Sequence, residues 1–264
     1  MKKLFAIFGN PVSHSKSPLM HNLAFDGLGY EGCYTRYRLE DGDMLAEKFF
    51  SLGLSGANIT VPHKESAFRA CDHLDPFALK VGAVNTIVER DGKLHGYNTD
   101  APGFLRVVEE MGEYEKILLV GAGGTAQSTA VILEEMGYDV SILNRGAKRL
   151  EWFDERGFDT SVWDDYRPDA RELIVNMTSA GLTDDTLPAP EEILSSLFEE
   201  ADAVIDIVYG RETPFLKMAK SYGLKSADGS DMLLYQGILA FGHFTGEMYT
   251  FDEISRYMRR AFYI

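Results

Sequence analysis

Residues 116–137 read KILLVGAGGTAQSTAVILEEMG, with Gly121, Gly123 and Ala126 in the spacing GxGxxA between an apolar run and an amphipathic stretch. Glycine at 121 permits a tight turn. Glycine at 123 lets the backbone approach a pyrophosphate at a helix N-terminus, and the small Ala126 lets helix and strand pack closely. Such a loop alone is weak evidence. The apolar run before it, the helical stretch through Met136 and a second apolar strand at Asp139–Leu143 give it the context of a dinucleotide site. An NAD site usually carries an acid at the end of that second strand, to bind the ribose 2′-hydroxyl. Here the position reads NRGAKR, with Asn144, Arg145, Lys148 and Arg149. Guanidinium forks suit a 2′-phosphate and an acid would repel it, so the cofactor expected is NADP.

Hydride transfer to or from such a cofactor needs a group for the alcohol proton and others to hold the substrate. SGANITVPHKESA places Lys64 just beyond a strand and Pro62, near Asn58 and Thr60. GYNTDAPGF offers Asp100, and GAVNTIV offers Asn85. A lysine beside a carboxylate can act as general acid and base. Singly, each of these is an ordinary solvated residue, and Asn85 could simply serve a turn. Their joint placement at strand ends, directly before a nucleotide-binding segment, favours a site. Upstream, GNPVSHSKSP sets Ser15 and Ser17 before a helical stretch. Ser17 before Pro18 reads as a helix N-cap with proline in the first turn. That leaves Ser15 unexplained, whereas a ligand carboxylate at the helix N-terminus would use both hydroxyls. His14 and Lys16 alternate with the serines and are expected to point elsewhere.

The elements that must position these groups follow from hydrophobic patterning. Strand-like runs at Leu4–Phe8, Ala57–Val61 and Val84–Val88 alternate with helical stretches Pro18–Leu28 and Met44–Leu52, an α/β layout. A helical stretch at Gly103–Met111 leads to the strand Lys116–Val120 and a βαβ beginning, followed by strands at Glu172–Asn176 and Ala203–Ile207. Asp231–Ile264 is helical, with Thr250 and Glu253 spaced as a capping box. Thr183–Pro190 reads as a long exposed loop with no assignable role. The expected arrangement is a two-domain α/β enzyme with a discontinuous substrate domain, residues 1–100 and the returning C-terminal helices 230–264. Residues 101–229 form a Rossmann-type NADP domain.

The chain has 264 residues, 45% hydrophobic and 25% charged, with 26 Lys and Arg against 41 Asp and Glu and a formal charge of −15. So acidic a surface argues against a general grip on nucleic acid, though a local basic pocket can still hold one small anion. The field slows an anionic substrate unless such a pocket counteracts it. Cys33 and Cys71 lack metal or CxxC spacing and read as two free thiols of a reducing compartment, with a single disulfide as the alternative. The first apolar run is too short for an export signal, and Met232–Phe244 is too short and interrupted to span a bilayer. The expected protein is cytoplasmic, metal-free, and a monomer or homodimer.

The combination of GNPVSHSKSP, GANITVPHKE, GAVNT, GYNTD, GAGGTA, NRGAKR and DGSDMLLYQG closely resembles the shikimate dehydrogenase family of the chorismate pathway, over nearly the whole chain and in the family's order. The resemblance implies reversible NADPH-dependent reduction of 3-dehydroshikimate to shikimate. Lys64 and Asp100 match the catalytic pair, Lys64 exchanging the proton and Asp100 orienting the reacting oxygen. Ser15 and Ser17 match the carboxylate-binding hydroxyls. Thr60, Asn85 and Gln236 match the contacts to the ring hydroxyls, with Asn58 and Tyr209 near the same pocket. Gly121, Ala122, Gly123, Gly124 and Thr125 match the pyrophosphate loop. Asn144, Arg145 and Arg149 match the contacts to adenosine and 2′-phosphate, and Thr178, Ile207 and Gly229 the nicotinamide side. Ile207 stands where relatives often carry methionine. The alternatives are a quinate/shikimate dehydrogenase using NAD, against which the arginines speak, and a non-catalytic NADP sensor, which would be expected to lose Lys64 or Asp100.

Overall fold

The computed structural model describes residues 2–167 and 170–264, in two compact units. One comprises the chain up to Gly103 together with Leu233–Ile264, and the other is Phe104–Met232. In chain order the first half carries β1 (Lys3–Gly9), α1 (Ser17–Leu28), β2 (Gly32–Arg38), α2 (Leu45–Ser51), β3 (Leu54–Ile59), α3 (Lys64–Ala70), β4 (His73–Leu74), α4 (Pro76–Val81), β5 (Thr86–Arg90), β6 (Lys93–Tyr97) and α5 (Asp100–Met111). There follow β7 (Lys116–Val120), α6 (Gly124–Glu135), β8 (Asp139–Asn144), α7 (Glu151–Asp154), β9 (Asp159–Val162), β10 (Leu173–Asn176), α8 (Glu191–Phe198), β11 (Ala203–Asp206), α9 (Pro214–Ser221), β12 (Lys225–Ala227), α10 (Ser230–Thr245) and α11 (Phe251–Met258).

The first unit is built on a mixed sheet of order β2-β1-β3-β5-β6-β4. β1 runs parallel to β2 and β3, while β5 is antiparallel to both β3 and β6. One core contains Phe8, Leu45, Phe49, Ile59, Ile87 and Leu94. An aromatic cluster joins Phe5 to Phe25 and Phe244, with ring centroids 5.1 and 4.9 Å away, and includes Phe241 stacked on His21. The reversal of β5 has a direct consequence for the site. Asn58 near the end of β3 pairs with Thr86 at the start of β5, and Thr86 pairs with Tyr97 at the end of β6. The segments after β1, after β3, before β5 and after β6 therefore all meet at one end of the sheet.

The second unit is an all-parallel sheet of order β12-β11-β10-β7-β8-β9. This is the doubly wound arrangement, whose strand order reverses between β7 and β10 and opens a crevice there. Its central strands β7, β10 and β11 are near-continuous apolar runs, as a sheet covered on both faces requires, and the edge strands β9 and β12 are more polar. Leu118, Val120, Leu143, Ile174, Val204, Phe198 and Phe215 belong to one core.

Three local expectations need correction. β3 begins at Leu54 and ends at Ile59, not at Ala57 and Val61. Val61 is 69% exposed and precedes Pro62, which cannot donate to a ladder. α5 begins at Asp100 rather than Gly103, because the Asn98 side chain accepts from the amides of Asp100 and Ala101 at 3.2 and 3.4 Å. Ser17 is not the N-cap of α1. Lys16 already has helical backbone angles, so Ser17 lies inside the first turn, and its amide donates instead to Ser15 Oγ at 3.2 Å. The capping box of α11 is present, with the Thr250 hydroxyl accepting from Glu253 N and the Glu253 carboxylate accepting from Thr250 N.

Candidate active site

Lys64 is the first residue of α3 and Asp100 the first of α5, and both helices start where the strand ends converge. Lys64 Nζ donates to Asp100 Oδ2 at 2.6 Å, with 23% and 13% of the two side chains exposed. The pair is thus largely shielded yet reachable, as a proton-transfer group requires. The Lys64 backbone carbonyl accepts from Val84 N at 3.1 Å, which ties α3 to the segment holding Asn85.

Behind the pair lies a buried amide and hydroxyl network. Asn85 Oδ1 accepts from Thr99 N at 2.8 Å and from Thr86 Oγ1 at 3.0 Å, and Asn85 Nδ2 donates to Thr99 Oγ1 at 2.9 Å. An amide nitrogen has two hydrogens, so Asn85 keeps one N–H without a partner among the described residues. Asn58 has no such spare. Its Nδ2 donates to the Asn85 carbonyl at 3.3 Å and to Thr86 Oγ1 at 3.0 Å, and its Oδ1 accepts from the Tyr34 hydroxyl at 2.7 Å. Burial holds the Tyr34 hydroxyl well above the usual tyrosine range, so it stays a donor. The Tyr34 ring stacks on His21 with centroids 4.3 Å apart. His21 is fully buried and neither ring nitrogen meets a partner at hydrogen-bonding geometry. Burial lowers its pKa to about 3, against a smaller opposing pull from Asn58.

Thr60 follows β3 with its amide bonded to the Phe8 carbonyl at 2.8 Å, and its hydroxyl has no partner among the described residues. Gly9 makes room for it: a Cβ there would lie 2.3 Å from Thr60 Cγ2. Gln236 is on α10, nearly buried, with Nε2 donating to the Leu233 carbonyl at 2.8 Å. It crosses α5 closely, since a Cβ on Gly103 would come within 2.7 Å of the Gln236 amide nitrogen. Gly103 is one turn beyond Asp100, so Gln236 packs against the first turns of the helix that Asp100 opens. Ser15 and Ser17 are buried, and Ser15 Oγ donates to Ser17 Oγ at 3.2 Å. The Ser17 hydroxyl hydrogen is uncommitted among the described residues. Tyr209 is not brought to these residues within the first unit; it belongs to the second, half-buried beyond β11, its hydroxyl pKa raised by burial.

The second unit holds the other half of the chemistry. Gly121 ends β7 with φ +113°, and a Cβ on it would lie 2.6 Å from Thr178 Cγ2, so a side chain there is excluded by both backbone angle and space. Gly123 and Gly124 begin α6, and a Cβ on either would meet only open space. With Ala122 and Thr125 they leave the first-turn amides of an α-helix facing that opening. A cleft of about 460 Å³ is lined by Gly121, Asn144, Arg145, Arg149, Thr178 and Trp163 among others. Arg145, Lys148 and Arg149 have no carboxylate partner among the described residues. Asn144 Nδ2 holds the turn by donating to the Gly146 carbonyl at 2.8 Å. Thr178 donates through both N and Oγ1 to Asn176 Oδ1, at 2.9 and 2.7 Å. Ile207 and Gly229 do not line this cleft. They lie against each other: a Cβ on Gly229 would fall 2.1 Å from the Ile207 carbonyl oxygen.

Two features were not legible in the sequence. The loop at 183–190 walls the cleft through Asp184, Thr186, Leu187 and Pro188, and its far end is buried at Pro188 and Ala189 instead of exposed throughout. Hydrogen bonds from Thr186 and Gly181 hold the Asp184 carboxyl below the usual range, and Arg211 donates to the Asp184 carbonyl and to Asp185 Oδ1. Thr86, Thr99 and Tyr34 were also missed. Threonine after asparagine in GAVNT and GYNT was the available signal; nothing local marked Tyr34.

Both cysteines are free thiols, and burial pushes the Cys71 thiol up to about 12. Among the described residues no cluster of side chains suits a metal, and no helix is long and apolar enough to cross a membrane.

The family model of the shikimate dehydrogenase substrate binding domain matches residues 7–87. The NADP(+) shikimate dehydrogenase of Helicobacter pylori strain P12 is 41% identical over 264 residues, covering 98% of this chain and 99% of its own. That of Helicobacter hepaticus is 41% identical over 251 residues, covering 94% and 93%. A crystal structure of shikimate 5-dehydrogenase from Thermus thermophilus, in complex with NADP(H) and shikimate, superposes with a TM-score of 0.86 at 37% identity, over 98% of this chain and 99% of that one. Identity at this level, sustained over the length of both units and matched by the architecture, places the chain in the shikimate dehydrogenase family.

Proposed function

We propose that the protein catalyses the reversible NADP-dependent oxidation of shikimate to 3-dehydroshikimate. The observation that carries this reading is the Lys64–Asp100 pair at 2.6 Å, set beside unspent donors on Thr60 and Asn85. The cofactor's residues fit: open space above Gly123 and Gly124 at a helix N-terminus suits a pyrophosphate, and unpaired Arg145 and Arg149 suit a 2′-phosphate. When bound, NADPH would supply the hydride, and Thr178, Ile207 and Gly229 are the residues assigned to its nicotinamide.

The chain's own residues do the rest. Ser17 directs its uncommitted hydroxyl at the substrate carboxylate, and the Ser15 hydroxyl, which donates to Ser17 in the free protein, turns to the same group. Thr60, the free N–H of Asn85 and Gln236 hold the ring hydroxyls, and Tyr209 is assigned to the substrate as well. Lys64 hands its proton to the carbonyl oxygen in reduction and takes it back in oxidation. Asp100 orients the reacting oxygen and keeps the ammonium in place. Asn58, with both amide hydrogens already engaged, supports Thr86 and Asn85. In this reading residues 1–100 and 230–264 form the substrate domain and 101–229 the cofactor domain. The enzyme is cytoplasmic, acts as a monomer or homodimer, and binds no nucleic acid.

The test is direct. Purified protein is mixed with shikimate and NADP, then with shikimate and NAD, and reduced nicotinamide is followed by absorbance. Reduction of NADP that is lost in Lys64→Ala is expected; no reduction with either cofactor overturns the substrate.

A further inference from the structure

The loop bearing the two serines carries one cation, Lys16, and is bonded by two more, Arg36 and Arg38. Residues 9–25 contain no Asp or Glu, in a chain that has 41. Within β2, side chains alternate between faces, so Tyr34, Arg36 and Arg38 share one. Tyr34 reaches Asn58 on that face, Arg36 Nη2 donates to the Ser15 carbonyl at 2.5 Å, and Arg38 Nε donates to Asn10 Oδ1 at 3.0 Å. Lys16, between the serines, donates to the Ala261 carbonyl at 3.3 Å, and its ammonium is 5.6 Å from the centre of the Phe262 ring. Arg38 has Glu40 within 4.0 Å, but Arg36 and Lys16 have no carboxylate partner among the described residues. Both are bonded only to neutral oxygens, which hold the side chains in place without cancelling their charge.

We infer that Arg36 and Lys16 form a cationic collar behind the serine hydroxyls, and that this collar selects a ring acid by its carboxylate charge. The inference rests on the proposed function, and it adds what serines cannot supply. A hydroxyl donates equally well to a carboxylate or to a neutral ester or amide carbonyl. Two uncompensated cations favour only the anion, and they do so where a net charge of −15 otherwise repels it. Arg36 is also a positioning residue: its bond to the Ser15 carbonyl sets the loop on which the Ser15 hydroxyl sits.

The experiment compares wild type, Arg36→Gln, Lys16→Gln and Arg36→Lys, with shikimate and with its neutral methyl ester, from low to high salt. Glutamine keeps a donor and removes the charge. Each glutamine variant is expected to raise KM for shikimate about three- to tenfold at low salt, with the deficit shrinking as salt screens the wild-type attraction. Lys16→Gln should turn over the methyl ester as wild type does. Any loss of ester turnover in Arg36→Gln should be smaller than its loss with shikimate and independent of salt, since it reports the loop anchor alone, and Arg36→Lys should recover most of the salt-dependent loss. A deficit that is independent of salt, or equal for acid and ester, overturns the collar and leaves only a loop anchor. If Arg36→Gln fails to fold, Lys16→Gln and Arg36→Lys decide by the same criteria. Wild type that is active with shikimate while the variants match it at every salt overturns the collar alone. Wild type that is inactive with shikimate overturns the functional reading and the collar with it.

Discussion

Lys64 Nζ and Asp100 Oδ2 are 2.6 Å apart across 36 residues of sequence, each side chain on the opening residue of its own helix. The contact exists because β5 runs antiparallel to β3 and β6 returns antiparallel to β5, so the chain arrives twice at the same sheet end. A residue at the start of a helix that follows a strand end is held by backbone on both sides.

Removing the proton-transfer group should therefore lower kcat without unfolding the protein. Lys64→Ala and Asp100→Asn are expected to cost about 10²- to 10⁴-fold in kcat. Steady-state kinetics and thermal melts check this together, and a melting point that falls in parallel with activity would count against a chemical role.

The serine hydroxyls face a carboxylate in the proposed reading. A hydrogen bond to a charged group contributes about 1.5–3 kcal/mol, so Ser15→Ala and Ser17→Ala should each raise KM for shikimate about tenfold or more and leave KM for NADP alone. Ser15→Ala also removes the acceptor for the Ser17 amide, so it should be the less stable of the two.

Arg145 and Arg149 are unpaired in the cleft beside the glycine loop. The double variant Arg145→Ala/Arg149→Ala is expected to raise KM for NADP about 10- to 100-fold and change KM for NAD little. Equal losses with the two cofactors would move the 2′-phosphate site elsewhere.

His21 links stability to pH. Burial lowers its folded pKa to about 3 from 6.5. Below pH 6.5 the unfolded chain takes up a proton that the folded protein refuses until about pH 3. The stability at issue is therefore fully present above pH 6.5 and lost as pH falls through that window, by about 1.4 kcal/mol per unit at most. His21→Phe keeps the aromatic stack with Tyr34 and should flatten the acid limb. Urea unfolding at pH 7 and pH 4.5 measures it; equal pH dependence in both proteins would exclude His21 as the cause.

The legible part of the molecule was the part encoded locally. The pyrophosphate loop, its flanking strands and the basic turn at 144–149 are contiguous, and each residue's duty follows from backbone geometry within a few positions, as the +113° φ of Gly121 shows. The capping box at Thr250 is local in the same way. Element ends were less legible where a neighbour intervened. Asn98 draws the start of α5 back to Asp100, and Ser15 displaces Ser17 from the cap of α1.

By itself the sequence determined the class of cofactor, the α/β alternation and the residue types of a hydride-transfer site, because these depend on composition and short-range spacing. Only the tertiary structure decided which of the polar residues are free to meet a ligand. Asn58 and Asn85 look alike in sequence, yet Tyr34, brought over from β2, Thr86 and the Asn85 backbone carbonyl take up the whole of the Asn58 side chain, while the Asn85 side chain retains one N–H. The structure likewise decided that Arg36 stands behind Ser15 without a counter-charge. Hydrogen-bond saturation and charge pairing are properties of neighbours through space. Those neighbours are chosen by strand order and by which face a side chain takes, and neither is written within reach of the residue itself.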